Sequence, residues 1–200
     1  GANRCYDDIN VNIESAKKAD IFYFTGYMWD TEPQKRAIKK VLEICKANNI
    51  KVAFDLADPF AVGRYRQTFL ELIKEYCDIV FANSEEARYL FDNYEAKECC
   101  KSMGKLCDIA IVKNGIKGSF ISHNNNIISI PVSGSSNPVD TTGAGDTYAA
   151  GFLYGIAKGY DVRSAGNIAS YLAGEIISIL GAQFPMEKSL EIKAYLENNF

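Results

Sequence analysis

The 200 residues read as an α/β protein built on a mainly parallel sheet with helices over both faces. Three observations predict this class. Four short apolar runs, Ile21–Phe24, Val52–Leu56, Ile79–Ala82 and Ile109–Val112, are nearly unbroken, as strands buried on both faces are. Helical spacing separates these runs, and strands alternating with helices build parallel sheets. Polar or glycine residues stand at their carboxyl ends, where an open α/β sheet binds its ligands.

In chain order, residues 1–20 form a lead-in loop with a short helix near Asn10–Lys18. The chain opens on Gly1-Ala2-Asn3 without an initiator methionine, which points to processing or to a fragment. The first strand closes at Thr25-Gly26, and Thr31-Glu32-Pro33-Gln34 has the form of a capping box with proline in the first turn. Ile38, Val41, Leu42 and Cys45 then recur at helical spacing up to Asn48-Asn49. The second strand leads into a loop, Ala57-Asp58-Pro59-Phe60, and a helix from about Gln67 to Tyr76. Asn83 opens a helix to about Tyr94, and a polar, weakly periodic stretch follows through Cys100. Ser119–Ser122 and Ile127–Val132 read as a pair of short strands joined across His123–Asn126. A Ser/Gly/Pro-rich loop, Ser133–Pro138, precedes Asp140-Thr141-Thr142-Gly143-Ala144-Gly145-Asp146 and an amphipathic run from Tyr148 to Ala157. Ala165, Ile168, Ala169, Leu172, Ala173, Ile176, Ile177 and Leu180 trace one helical face ended by Gly181, and Leu190–Leu196 is a last short helix.

Composition narrows the function classes. The length fits one domain, and the net charge of −3 gives no nucleic-acid footprint. No apolar run is long enough to span a bilayer and no secretory apolar region stands at the start, so a cytoplasmic protein without a membrane partner is expected. Six cysteines without a C-x-x-C pair and a single histidine, His123, argue against zinc. Free thiols are the plain reading. Lys35–Lys40 reads as the wet face of a helix and His123 as a solvated turn residue.

Asp140–Asp146 carries the most chemistry. Glycines let backbone amides approach a ligand closely, and a helix N-terminus offers unpaired N–H groups and a positive partial charge to an anion. Asp146 adds a carboxylate in that first turn; an ordinary capped helix is the competing reading. Asn83-x-x-Glu86 reads first as a capping box; the competing reading is a carboxylate poised to hold magnesium through waters. Asn114-Gly115-x-Lys117-Gly118 is a turn by itself. Asp55 would be costly if buried unpaired, and its role and that of Asp58 stay open. No Walker sequence is present, and Gly143–Tyr148 fails the last place of the dinucleotide fingerprint.

Taken together, Asp140–Asp146 with Gly151-Phe152, the earlier Asn83-x-x-Glu86 and Gly115-x-x-Gly118 resemble the signatures of the PfkB (ribokinase-like) family of carbohydrate and nucleoside kinases. Gly26-Tyr27-x-Trp29 and Asp55-Leu56-x-Asp58-Pro59-Phe60 resemble its bacterial adenosine kinase-like branch. The resemblance implies a three-layer α/β/α fold and ATP-dependent transfer to a primary hydroxyl of a small sugar or nucleoside. It casts Asp146 as the general base and the amides of Gly143, Ala144, Gly145 and Asp146 as an anion hole. Lys113, Gly115, Gly118 and Asn167 would lie along ATP, and Asn83 and Glu86 would order hydrated Mg2+. Asp140 and Thr142 match a loop that holds a monovalent cation, K+, in many members.

Members of the family are longer. The resemblance makes residues 1–200 the C-terminal nucleotide-binding and catalytic portion of a single kinase domain, without the N-terminal part and lid that complete the acceptor site and mediate homodimers in the family. A non-catalytic nucleotide- or metabolite-binding module is the alternative if these residues are the whole protein. Tyr148 stands where phenylalanine is common.

Overall fold

The computed structural model describes residues 1–135 and 137–200; Ser136, part of the expected Ser133–Pro138 loop, lies outside the described residues. Two compact units result: Gly1–Lys113 with Ser122–Ile127, and Asn114–Ile121 with Ile128–Phe200.

In the first unit the four apolar runs form β1 (Ile21–Thr25), β2 (Lys51–Asp55), β3 (Ile79–Asn83) and β4 (Ile109–Lys113). Each pairs in parallel with the next, in a register that sets Thr25 beside Asp55, Asp55 beside Phe81, and Asn83 beside Lys113. The connections carry α2 (Glu32–Asn48), α3 (Pro59–Tyr76), α4 (Ser84–Phe91) and α5 (Ala96–Met103), after a short α1 (Ile13–Lys17). The core is aromatic: Phe24 stacks on Phe54 at 4.5 Å between ring centres, and Phe69 meets Phe54 edge-on at 5.1 Å. All three rings are buried, and full burial of such a side chain contributes roughly 1.5–3 kcal/mol.

Several local expectations are corrected here. The Thr31 hydroxyl does not cap α2; it bonds the Arg4 carbonyl at 2.8 Å and Gln34 Oε1 at 2.9 Å. The helix expected from Gln67 begins at Pro59, because Asp58 accepts the amides of Phe60 and Ala61 and proline fits the first helical position. Its non-helical residue, Tyr65, breaks the periodicity on which the shorter helix rested. Asp92 adopts a left-handed conformation and ends α4 before Tyr94. The polar stretch before Cys100 is itself helical, and α5 buries Cys99, Cys100 and Met103. The basic face of α2 is wet at Arg36 and Lys39, as expected, but part of it also meets the lead-in segment: Arg36 forks onto Asp7, and Lys40 reaches the Asp8 carbonyl at 2.8 Å. All six cysteines are thiols; burial pushes those of Cys100 and Cys107 up to about 12, which makes them inert.

A hairpin of β5 (Ser119–His123) and β6 (Asn126–Ile130) follows, and the six strands run in chain order through the sheet. Its turn is tighter than expected, with Asn124 and Asn125 at φ 50° and 61°, the two-residue geometry that matches strand twist. His123 is held as well as part-exposed: Asn124 Nδ2 lies 3.0 Å from its Nε2 and the Asp108 carbonyl 3.1 Å from its Nδ1.

The second unit contains α6 (Ala144–Ala157), α7 (Val162–Ile176) and α8 (Met186–Asn199). Asp161 caps α7 by accepting the amides of Arg163 and Ser164. Ile168 and Leu172 of α7 bury against Ile192 and Leu196 of α8, and the Tyr171 and Tyr195 rings stack at 4.2 Å. The apolar face of α7 stops at Ile176, and Leu180 is 84% exposed. The apolar period continues in the sequence to Leu180, but the chain leaves the helix at Ile177. The last helix is also longer than Leu190–Leu196.

Candidate active site

Two sets of candidate residues have defined geometry, one in each unit. The first lies at the carboxyl ends of β2, β3 and β4. Asn83 ends β3 and caps α4, and the capping is reciprocal. Its Oδ1 accepts the Glu86 amide at 2.8 Å, while Glu86 accepts the Asn83 amide at 2.7 Å and its Nδ2 at 2.6 Å. Glu86 is only 3% exposed. Burial pushes its carboxyl up to about 7, the Asn83 amide opposes that, Asp55 adds to it and Lys113 opposes it.

Asp55 is also 3% exposed. Its question is resolved by two partners: Lys113 Nζ at 2.8 Å and the Ala57 amide at 3.1 Å. Lys113 therefore spends its charge on a carboxylate 58 positions away, a partnership that no local pattern announces. Asp58 is the α3 cap. Trp29 is buried, whereas Tyr27 and Asp58 line a cavity of about 380 Å³ bordered by Asp30, Arg64 and Tyr65.

The donor set of Asn83 and Glu86 is all oxygen and amide, which suits a hard cation. Both Glu86 oxygens already accept from Asn83, so their remaining lone pairs fit metal-bound waters better than direct ligation. Among the described residues no group of three or more His, Cys, Asp or Glu side chains is arranged to hold a metal.

The second set begins at the turn after β4. The Asn114 amide bonds the Gly118 carbonyl at 2.8 Å, and the Gly118 amide bonds the Gly115 carbonyl at 3.0 Å. Gly118 has φ 82° and ψ −142°, and a Cβ there would stand 2.2 Å from the Ile130 carbonyl oxygen. Only glycine fits. Ser119 follows it directly and shares a 2.7 Å hydrogen bond with the Tyr148 hydroxyl of α6.

Asp140 organises the other loop. One of its carboxylate oxygens accepts the Thr142 amide at 2.9 Å and hydroxyl at 2.7 Å, and the other accepts the Gly181 amide at 2.9 Å. The Thr142 hydroxyl first, then the two amides, hold the Asp140 carboxyl below its usual value. Gly143, with φ 76°, caps α6, and a Cβ on it would lie 2.7 Å from Ala182 Cβ. The Ala144 amide bonds the Thr141 carbonyl at 3.2 Å, and the first bond of the α6 ladder runs from Thr147 to Gly143 at 2.8 Å. Among the described residues, the amides of Gly145 and Asp146 find no backbone acceptor. They are thus available to an anion, with the exposed Asp146 carboxylate in the same turn. Asn167 is half-buried on α7. The partners of Asp55, Ser119 and Gly181 are not legible in the sequence, because Lys113, Tyr148 and Asp140 lie remote from them along the chain.

The description "pfkB family carbohydrate kinase" matches residues 1–189. An uncharacterized sugar kinase of Archaeoglobus fulgidus is 32% identical over 194 residues, covering 93% of this chain and 71% of that protein. A 5-dehydro-2-deoxygluconokinase of Bacillus licheniformis is 25% identical, over 92% of this chain and 58% of its own length. The crystal structure of adenosine kinase from Sinorhizobium meliloti superposes with a TM-score of 0.90 at 30% identity, over 96% of this chain and 59% of that one. The fold class is therefore the ribokinase-like three-layer α/β fold, and the chain spans under two thirds of the length of the last two proteins.

Proposed function

The chain belongs to the pfkB family of carbohydrate kinases, and from that premise we propose that it carries ATP-dependent phosphoryl transfer to a primary hydroxyl of a sugar or nucleoside. The observation that carries this reading is the start of α6, where a left-handed Gly143 cap leaves amides open and Asp146 stands exposed in the first turn. Phosphoryl transfer asks a protein mainly for positioning and charge stabilisation, with one group to accept the hydroxyl proton. Asp146 takes that proton as general base. The amides of Gly143, Gly145 and Asp146 hold the transferring phosphoryl; that of Ala144 joins them if it leaves the Thr141 carbonyl.

Lys113, Gly115, Gly118 and Asn167 belong to the nucleotide in this reading, Lys113 through the strand end it shares with Asn83. Asn83 and Glu86 hold hydrated Mg2+, which when bound neutralises charge on the phosphates. A monovalent cation, K+, belongs beside Asp140 and Thr142. The acceptor class rests on the sugar kinases and the adenosine kinase that the chain resembles.

The test is Asp146→Asn in the longest natural form of the protein, assayed with ATP and a panel of sugars and nucleosides. Transfer should fall by roughly 10²- to 10⁴-fold, the usual contribution of a positioned base, while ATP binding persists. Undiminished turnover removes Asp146 as the base. ATP binding with no transfer to any acceptor by the unmodified protein favours a binding module instead.

A further inference from the structure

Two buried carboxylates, Asp55 and Glu86, stand within the field of one lysine. Lys113 is the last residue of β4 and is in register with Asn83, the residue whose side chain caps Glu86. Asp55 ends β2 on the other side of β3, in register with Phe81. The ammonium thus starts next to the Asn83–Glu86 box, crosses the end of β3, and is held by Asp55 at 2.8 Å. Its side chain is 16% exposed and that of Asp55 4%, so water screens the pair little.

We propose that Asp55 is a positioning residue that keeps Lys113 away from Glu86, so that the Glu86 carboxylate remains available to the waters of a divalent cation. This rests on the assignment of Asn83 and Glu86 to Mg2+. A partly buried ammonium without a counter-charge seeks the nearest carboxylate. With Asp55 neutralised, that carboxylate is Glu86, already coupled to Lys113 through space. An ammonium on Glu86 opposes a dication twice, by occupying its lone pairs and by adding like charge. The arrangement explains why an acidic residue sits in the apolar strand β2 and why the lysine at the end of β4 is turned inward.

The experiment is Mn2+ binding to the nucleotide-free protein, followed by the loss of the free-ion electron paramagnetic resonance signal, so that the role of Lys113 along ATP is not engaged. Asp55→Asn should weaken Mn2+ binding by roughly 10- to 100-fold, the scale of outer-shell effects on metal sites. Asp55→Asn combined with Lys113→Met should restore it to near the unmodified value, since the competing cation is gone; a purely structural role for the ion pair predicts no rescue. The neutral pair also decides the matter by itself should Asp55→Asn not fold, because tight Mn2+ binding by the pair supports the proposal and weak binding overturns it. Unchanged affinity in a folded Asp55→Asn protein overturns it as well. Glu86→Gln separates the two levels: if it binds Mn2+ as the unmodified protein does, the metal assignment itself fails.

Discussion

Ser119 Oγ and the Tyr148 hydroxyl lie 2.7 Å apart, both residues buried. The bond ties the residue after Gly118 to the helix that begins at the Gly143 cap. Tyr148 is therefore a specific choice over phenylalanine, since one hydroxyl provides for another in a place that water does not reach.

Tyr148→Phe leaves the Ser119 hydroxyl short of a partner and should destabilise the protein by about 1–3 kcal/mol, the cost of a stranded buried polar group. Ser119→Ala added to it should cost less than the sum of the two single changes. Urea unfolding of the four proteins measures the coupling; strict additivity would show that the bond contributes nothing.

The two glycines of the turn should respond differently. Gly115, at φ 55° with open space around it, should tolerate alanine at about 1–2 kcal/mol, the cost of the left-handed conformation. Gly118→Ala adds a collision with the Ile130 carbonyl to the backbone strain and should be clearly worse, disturbing the turn itself. Chemical unfolding and ATP binding should rank the variants in that order, and equal effects would remove the steric argument.

Glu86 gives the folded state a definite pH signature. Its carboxyl is raised from 4.5 to about 7 in the fold. Below pH 4.5 it is protonated in both states and carries no penalty. Between the two values the folded state keeps a proton that the unfolded state has lost, so rising pH favours unfolding. The full penalty, on the order of 3 kcal/mol, is present above pH 7. Glu86→Gln should flatten this part of the stability profile in metal-free buffer, as followed by urea midpoints from pH 5 to 8. A profile that stays unchanged in the variant would falsify the burial argument.

Much of this architecture was legible because its signals are local. The parallel strands announced themselves as unbroken apolar runs, and Asn83-x-x-Glu86 as a capping box, which it is. The signal failed where a partner lies far along the chain. Thr31 resembles a cap, but its hydroxyl is drawn to Arg4. The lysine-rich face of α2 resembles a wetted surface, but Asp7 and the Asp8 carbonyl cover part of it. Asp55 was recognisable as an acid in the wrong place, not as the partner of Lys113. Short helices such as α5 escaped because one buried face of Cys99, Cys100 and Met103 is too brief to set a period. In the site, spacing could nominate Asp146 and Gly143, whereas the hold of Asp140 on Gly181 needed the fold.

The order β1, β2, β3, β4 has a consequence for how the chain is made. Each new strand joins the free edge left by the one before it, and none must be threaded between partners already paired. As the polypeptide leaves the ribosome, every completed strand–helix segment can dock on what has already emerged, without waiting for later sequence. Assembly of this part can therefore keep pace with synthesis, adding β2, β3 and β4 in turn beside β1.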